Sequence, residues 1–209
     1  MTKPQLALVA PPTGFGAVQK SPPPRKQPNG QRRQHLFPDE VDRLIKAAGD
    51  NRWGHRDATM ILLAFRHGLR SAELVSLRWD QIDFSAAVLH VSRSKGGVAT
   101  THPLGASEMR ALRRLKREQQ PASPFVFVSE RGAPFSTRGY RALVSRLALA
   151  AGFEFSISTH MLRHATGYKL ANDGVDTRSI QDYLGHASIA STVRYTKLSP
   201  RRFRNFWND

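Results

Sequence analysis

The chain has 209 residues, of which 40% are hydrophobic and 23% are charged, so it is large enough to form one domain with a real core. It contains no cysteine, which excludes a disulfide framework, a thiolate nucleophile and every thiolate-based zinc site. Lysine and arginine total 32 against 16 acidic residues, and the net charge of +16 favours a polyanionic partner such as nucleic acid.

The first 34 residues differ in composition from the rest of the chain. They contain seven of the 13 prolines and six lysines or arginines, but no acidic residue. Because such a segment cannot bury a hydrophobic core, we predict a disordered, basic, proline-rich tail over residues 1–34. Residues 35–209 are predicted to form one folded domain, in which residues 196–209 are a C-terminal tail.

Hydrophobic periodicity predicts a mainly α fold with a small antiparallel sheet, an α+β class. A first helix is expected after Phe37, where acidic residues occupy the first turn. Further helices are expected over about 56–67, 72–79, 107–118, 137–151, 160–172, 176–184 and 188–196. Strand-like segments within 82–91 and at 98–101 flank a turn at 94–97, which predicts a β-hairpin with Lys95 at its tip. A short strand is expected at 125–128.

The segment HGLRSAEL at residues 67–74 contains the first candidate functional residue. A glycine ends one helix, and Arg70 stands at the start of the next. An arginine in this position can point its guanidinium group into a cleft. The alternative is that Arg70 only pairs with Glu73, three residues further on.

Two further motifs contain polar side chains that could meet at one site. In HMLRH, at residues 160–164, His160 and Arg163 are three residues apart on one helix face, and Thr159 can cap that helix. A zinc site is not favoured there, since no further ligands have suitable spacing. His186 follows Leu-Gly, and Tyr195 comes nine residues later. Taken alone, the histidine–arginine pair could be a surface coincidence, and the tyrosine is typical of a core or rim residue.

Taken together, the order and spacing of these motifs resemble the tyrosine recombinases, also called the phage-type integrases. The pattern consists of HGLRSAEL, a lysine on a hairpin turn, HMLRH, LGH and a tyrosine nine residues after that histidine. The resemblance runs from about residue 35 to the end. It implies the tyrosine recombinase catalytic-domain fold. It also implies a site-specific recombinase or integrase that cleaves and rejoins DNA through a 3′-phosphotyrosyl intermediate, with no metal, ATP or other cofactor.

The resemblance also assigns roles to individual residues. It makes Tyr195 the nucleophile, Arg70 and Arg163 the phosphate clamp, and Lys95 the general acid. Two fixed guanidinium groups can stabilise the charge that develops on a phosphodiester under attack. The covalent intermediate conserves the bond energy, so a second DNA hydroxyl can reverse the step.

Three more residues complete the site that the resemblance implies. His160 would assist proton transfer, and His186 would hydrogen-bond the scissile phosphate. Glu73 would support the segment that carries Arg70. The six catalytic candidates are therefore Arg70, Lys95, His160, Arg163, His186 and Tyr195.

Most members of that family carry a separate helical domain ahead of the catalytic one, and 34 proline-rich residues cannot form it. We therefore expect a short form without the N-terminal core-binding domain, similar to relatives that invert promoter segments for fimbrial phase switching. The expected partners are double-stranded DNA and further copies of the chain, which is monomeric when free and tetrameric in a DNA synapse, with room for an accessory protein. Aromatic residues after the tyrosine are expected to dock on another protomer: Phe203, Phe206 and Trp207.

Apolar runs in the sequence are too short for a membrane span or a signal peptide core, so no membrane partner is expected. The expected location is the cytoplasm, in association with the nucleoid. Two alternative functions remain open at this point. One is a type IB topoisomerase-like enzyme that relaxes DNA, and the other is a DNA-binding regulator that has lost turnover.

Overall fold

The computed structural model describes residues 33–93, 98–119 and 123–197. These residues form eight α-helices, one 3-10 helix and one three-stranded antiparallel sheet. The predicted fold class, mainly α with a small antiparallel sheet, is confirmed. The expected basic tail as far as residue 32, the hairpin tip with Lys95, and the C-terminal tail from residue 198 lie outside the described residues.

The elements follow one another in a simple order. The helices are α1 (Pro38–Gly49), α2 (Gly54–Arg66), α3 (Ser71–Val75), the 3-10 helix (Trp79–Gln81), α4 (Ala106–Glu118), α5 (Thr137–Ala150), α6 (Thr159–Asn172), α7 (Thr177–Leu184) and α8 (Ala190–Lys197). The strands are β1 (Ile82–Asp83), β2 (Val88–Val91) and β3 (Thr100–Pro103). Helices after residue 100 begin and end within two residues of the predicted positions.

Helix α1 shows how local sequence sets an element boundary. Pro38 occupies the first turn, where its missing N–H would have no partner in any case. The Glu40 carboxylate accepts a hydrogen bond from the backbone N–H of Phe37 at 2.8 Å and another from Arg33 at 2.7 Å. The helix then buries Leu44 and its apolar neighbours against α2.

The sheet has the order β1-β2-β3, with both pairs antiparallel. Leu89 pairs with Ile82 on one side and with His102 on the other, and all three side chains are buried. The hairpin of β2 and β3 agrees with the prediction, although its second strand begins at Thr100 and not at residue 98. The expected hairpin therefore gains a third, short strand at β1.

Two of the predicted elements are wrong in detail. The expected strand at 125–128 forms only isolated bridges, from Phe125 to Arg78 and from Val128 to Pro134. Its apolar run reflects burial in the core, since Phe127 is fully buried. The expected helix over 72–79 stops at Val75, and the chain continues in an extended form because the Leu77 carbonyl accepts a hydrogen bond from Val126 at 2.8 Å.

The hydrophobic core has two parts. The larger part fills the space between α1, α2, α4, α5 and α6. A smaller cluster joins α6, α7 and α8, and it consists of Tyr168, Ala171, Ile180, Leu184 and Tyr195. The smaller cluster fixes the last described helix against α6. Within the described ranges, no helix is long and apolar enough to cross a membrane.

Candidate active site

Arg70 stands at the junction between α2 and α3. The chain reverses at Gly68, whose φ of 57° lies in the left-handed region that glycine adopts without strain. Arg70 then caps α3, and its backbone N–H and Nη1 both donate to the Glu73 carboxylate, at 2.9 and 2.7 Å. The Arg70 side chain is 25% exposed. The structure therefore combines the two expectations, because Arg70 pairs with Glu73 and also presents a guanidinium group to solvent.

Glu73 is itself held by a second arginine that the sequence analysis did not assign. The buried Arg93 donates from Nη1 to Glu73 at 3.0 Å, and from Nη2 to the carbonyl of Tyr183. Burial acts to raise the pKa of Glu73, but the hydrogen bonds from Arg70 and the charges of both arginines outweigh it and lower the pKa to about 2. Glu73 is thus a fixed anion that orients two guanidinium groups.

A buried histidine pair extends this support towards α4. Nδ1 of His67 lies 3.1 Å from Nδ1 of His102, and Nε2 of His67 lies 2.8 Å from the Glu108 carboxylate. Burial, followed by the charges of His67 and Arg93, lowers the pKa of His102 to about 3, so His102 is neutral. His67 thus lies between His102 of β3 and Glu108 of α4. The base of the hairpin is therefore tied to the arginine-bearing segment.

Arg163 lies on α6 and is 5% exposed. Its Nη1 donates to the Gly68 carbonyl at 2.5 Å, and its Nη2 donates to the Leu184 carbonyl at 2.7 Å. These bonds join the end of α2 to the end of α7. Burial, followed by the charges of Arg70 and Arg93, lowers the pKa of Arg163 to about 10, so it stays protonated at neutral pH. A guanidinium group has five N–H donors, and these two bonds use only part of that capacity.

His186 follows the C-terminus of α7 directly. Gly185 ends that helix with φ of 62°, a left-handed cap that turns the chain. Nδ1 of His186 lies 2.8 Å from the Thr192 hydroxyl. Burial, followed by the charges of Arg163 and Arg70, lowers the pKa of His186 to about 4. The imidazole is therefore neutral at pH 7 and stands in the field of both arginines.

Tyr195 lies on α8 and is 1% exposed, so of the core and rim positions expected for it the structure shows the core position. Its ring stacks with the ring of His186, with centroids 6.2 Å apart, and meets the ring of Tyr168 edge-on at 5.1 Å. Its hydroxyl lies 2.9 Å from Nδ1 of His164. Burial raises the pKa of Tyr195, although the charge of Arg163 acts in the opposite direction. The group at rest is a neutral phenol.

The structure thus brings together Arg70, Arg163 and His186, which we call the Arg–His cluster, and places Tyr195 beside it. His160 is exposed at the start of α6, and its ring centroid lies 6.0 Å from that of His164. Lys95 lies outside the described residues. In the part of the chain that is described, no group of three or more histidine, aspartate or glutamate side chains could hold a metal ion.

Sequence reasoning missed His164 and Arg93. Helix periodicity could have identified His164, because it follows His160 by four residues and so lies on the same face. No local pattern identifies Arg93, since its partner Glu73 is 20 residues away and its partner Tyr183 is 90 residues away.

Close packing between α6 and α8 leads to a prediction for stability. A Cβ atom at Gly167 would lie 2.6 Å from the ring of Tyr195, so alanine cannot fit unless that ring moves. Overpacking costs about 1–3 kcal/mol, whereas replacing a helical glycine by alanine gains up to about 1 kcal/mol. We expect Gly167→Ala to lower the free energy of unfolding by about 1–2 kcal/mol in denaturant titrations.

Gly49→Ala provides a matched control for Gly167→Ala. Gly49 is also helical, and a Cβ atom there would meet no atom within 4 Å. Its unfolding free energy should stay level or rise slightly. Equal unfolding free energies for the two variants would show that the Tyr195 ring moves aside for the extra methyl group without a cost in stability.

Comparison with known proteins places the chain among DNA recombinases. A family model described as the phage integrase family matches residues 34–202. The type 1 fimbriae regulatory protein FimB of Escherichia coli K12 is 38% identical over 188 residues, which cover 88% of this chain and 94% of FimB. Tyrosine recombinase XerC of Xanthomonas campestris pv. campestris (strain B100) is 34% identical over 176 residues, which cover 84% of this chain and 53% of XerC.

One solved structure supports the same relationship. The crystal structure of XerA recombinase matches with a TM-score of 0.72 and 28% sequence identity, over 82% of this chain and 63% of that chain. The chain therefore spans nearly all of FimB, but only about half of XerC and less than two thirds of the XerA chain.

Proposed function

The chain belongs to the phage integrase family of tyrosine recombinases, and from this premise we propose that the Arg–His cluster and Tyr195 form its DNA strand-cleavage site. Family membership agrees with the resemblance that the motifs suggested. The observation that carries the proposal is the position of the Tyr195 phenol, which is buried beside His186 and within the field of Arg163 and Arg70. The charges of Arg163 and Arg70 favour the phenolate form of Tyr195, which is the form that attacks a phosphodiester.

In the proposed reaction, Tyr195 attacks the scissile phosphorus and Arg70 and Arg163 bind its nonbridging oxygens. Negative charge on those oxygens increases in the transition state, so guanidinium groups that are already fixed lower the barrier. Glu73 fixes Arg70, and the carbonyls of Gly68 and Leu184 fix Arg163. Little reorganisation is then needed when the charge develops.

The histidines have supporting roles in this proposal. If Nδ1 of His186 accepts from the Thr192 hydroxyl, Nε2 carries the proton of the neutral ring and can donate to a phosphate oxygen. His160 would assist proton transfer at the edge of the site. The leaving 5′ oxygen needs a proton, and we assign the donor role to Lys95, which lies between β2 and β3 in the sequence.

We propose double-stranded DNA as the substrate, with four copies of the chain assembled on two sites and a monomer in the free state. The net charge of +16 supports a DNA partner. Inversion or integration of a DNA segment is the reaction that this chemistry supports. An accessory protein would add binding energy where a single catalytic domain holds DNA weakly.

The proposed function can be tested with a pool of DNA duplexes of randomised sequence, each carrying a nick that releases a short fragment after cleavage. We expect the protein to form covalent adducts that survive denaturation, because the released fragment cannot diffuse back to reverse the step. Sequencing the DNA in the adducts would then give the target site. Retarded mobility in native gels without any adduct would instead indicate a DNA-binding regulator.

A second assay separates recombination from topoisomerase activity. Supercoiled plasmid that lacks the target site should stay supercoiled after incubation with the protein. Efficient relaxation of this plasmid would contradict site-specific recombination and favour a type IB topoisomerase-like enzyme.

A further inference from the structure

The hydrogen bond between His164 and Tyr195 has no role in the function proposed above. We propose that His164 is a catalytic residue that accepts the proton of the Tyr195 hydroxyl when the phenol attacks DNA. This inference rests on the proposed function of Tyr195 as the nucleophile, and it adds the group that makes the nucleophile reactive.

The geometry of the pair meets the requirement for proton transfer. Nδ1 of His164 lies 2.9 Å from the Tyr195 hydroxyl, within the range of about 2.6–3.2 Å that a general base needs. The tyrosine ring is held in place by Gly167 on one side and by the ring of Tyr168. His160, the other histidine of the same helix face, is exposed. Of the two histidines, His164 is therefore the one placed on the reacting oxygen.

The protonation state of His164 also fits the role of an acceptor. Burial, followed by neighbouring positive charge, lowers the pKa of His164 to about 4, so the ring is neutral at pH 7. The titratable and charged groups that face it are Arg194 and Tyr195 on α8, His160 and Arg163 on α6, His186 after α7, and His35 in the segment before α1. A neutral ring with its proton on Nε2 leaves Nδ1 free to accept.

Binding of DNA would raise the pKa of His164 and so make it a stronger base when the substrate is in place. In the free protein, cations such as Arg163 and Arg194 disfavour the imidazolium form of His164. A phosphate bound to the Arg–His cluster brings negative charge, which offsets those cations and favours the protonated ring. Proton transfer from Tyr195 is therefore coupled to occupation of the site by a phosphodiester.

The cleavage step balances in bonds and protons. The Tyr195 O–H bond and the P–O5′ bond break, while a Tyr195 O–P bond and a His164 Nδ1–H bond form. The leaving 5′ oxygen receives its proton from the general acid, which we assign to Lys95. In the rejoining step the 5′ hydroxyl attacks phosphorus, and His164 returns its proton to the departing tyrosine oxygen.

The test compares wild type with His164→Asn on the nicked target duplex. The asparagine Oδ1 takes the place of Nδ1, so it can accept the hydrogen bond but cannot take the proton. We expect adduct formation to slow by about 10²–10⁴-fold, the usual contribution of acid–base catalysis. The wild-type rate should be level near neutral pH. The variant's rate should rise with pH towards the pKa of the phenol, since a phenolate must then form before attack.

A modified substrate distinguishes loss of the base from loss of the acid. In a duplex whose scissile 5′ oxygen is replaced by sulfur, the leaving thiolate needs no proton. Lys95→Ala should recover on this substrate, whereas His164→Asn should remain slow. His90→Asn, at an exposed position on β2 outside the site, is the matched control, and it should keep the rate and the pH profile of the wild type.

The outcomes separate this inference from the proposed function. A wild-type chain that forms no adduct overturns the proposed function. If the wild type forms the adduct and His164→Asn equals or exceeds its rate with the same pH profile, His164 is not the base. Recovery of His164→Asn on the sulfur substrate also overturns the inference, since it would make His164 the acid. Native gel shifts and thermal unfolding check each variant's fold, and His164→Ala, with the same expected defect, serves if the asparagine variant does not fold.

Discussion

Tyr195→Phe is expected to abolish the covalent DNA adduct and to leave DNA binding intact. Phenylalanine fills the same space beside Gly167 and Tyr168, so the packing of α8 on α6 is kept. The variant loses the hydrogen bond to His164, a change of about 0.5–1.5 kcal/mol. It also loses the only atom of this side chain that could attack phosphorus. Denaturing gels of the nicked duplex should therefore show no adduct, while native gels show the usual shift.

A neighbouring tyrosine provides the control. Tyr168 belongs to the same small hydrophobic cluster, and Tyr168→Phe removes a hydroxyl from a ring that contacts Tyr195. Adduct formation by Tyr168→Phe should stay close to that of wild type. An adduct that persists in Tyr195→Phe and disappears in Tyr168→Phe would show that the nucleophile is assigned to the wrong tyrosine.

Arg70→Ala is expected to reduce the rate of adduct formation by about 10³-fold or more. Loss of one donor to a developing oxyanion costs about 10²–10³-fold, and loss of an arginine in phosphoryl transfer costs about 10³–10⁵-fold. The fold should survive, because the backbone N–H of residue 70 and the side chain of Arg93 still bind Glu73. Single-turnover measurement of the adduct at saturating protein gives the rate independently of affinity.

Two further variants make the Arg70 result specific. Arg70→Lys keeps the charge but not the planar pair of donors, so its rate should lie between those of alanine and wild type. Arg146→Ala removes an equal charge from an exposed position on α5, and it should leave the single-turnover rate nearly unchanged. A rate for Arg70→Ala within tenfold of wild type would contradict the phosphate-clamp role.

Arg163 offers a less direct test of the same clamp. Its guanidinium group binds the carbonyls of Gly68 and Leu184 in the protein interior. Removal of the side chain would leave two buried acceptors unpaired, at a cost of about 1–3 kcal/mol each. A loss of activity in Arg163→Ala would therefore mix chemistry with stability, whereas Arg70, which is partly exposed, separates them.

Much of the fold could be predicted from local sequence, because helix periodicity and helix caps are local signals. Helix α4 is an example, since its buried residues Met109, Leu112 and Leu115 recur with helical spacing and the observed bounds match the predicted ones within one residue. The segment at 125–128 shows the limit. Apolar character alone cannot distinguish a buried extended chain from a strand. A strand also needs a neighbouring strand to pair with, and in the described residues this segment makes only two isolated bridges.

The candidate site also has features that the sequence predicts and features that depend on tertiary structure. Motif order identified Arg70, Arg163, His186 and Tyr195 as candidates, and the fold gathers them from the N-cap of α3, from α6 and α8, and from the turn after α7. The depth of Tyr195 could not be read from its helix, because it depends on Gly167 of α6 leaving room for the ring. The same is true of the charge states. The lowered pKa values of the histidines arise from burial and from arginines that are distant in sequence.

The order of these residues along the chain has a consequence during protein synthesis. Arg163 needs the carbonyl of Leu184 for one of its two backbone bonds, and Tyr195 is the last member of the site to leave the ribosome. A nascent chain that has emerged only as far as α7 contains the guanidinium groups of Arg70 and Arg163 but lacks the hydroxyl of Tyr195. Under the function proposed above, such an intermediate has both phosphate-binding arginines but no nucleophile, so strand cleavage requires that α8 has docked.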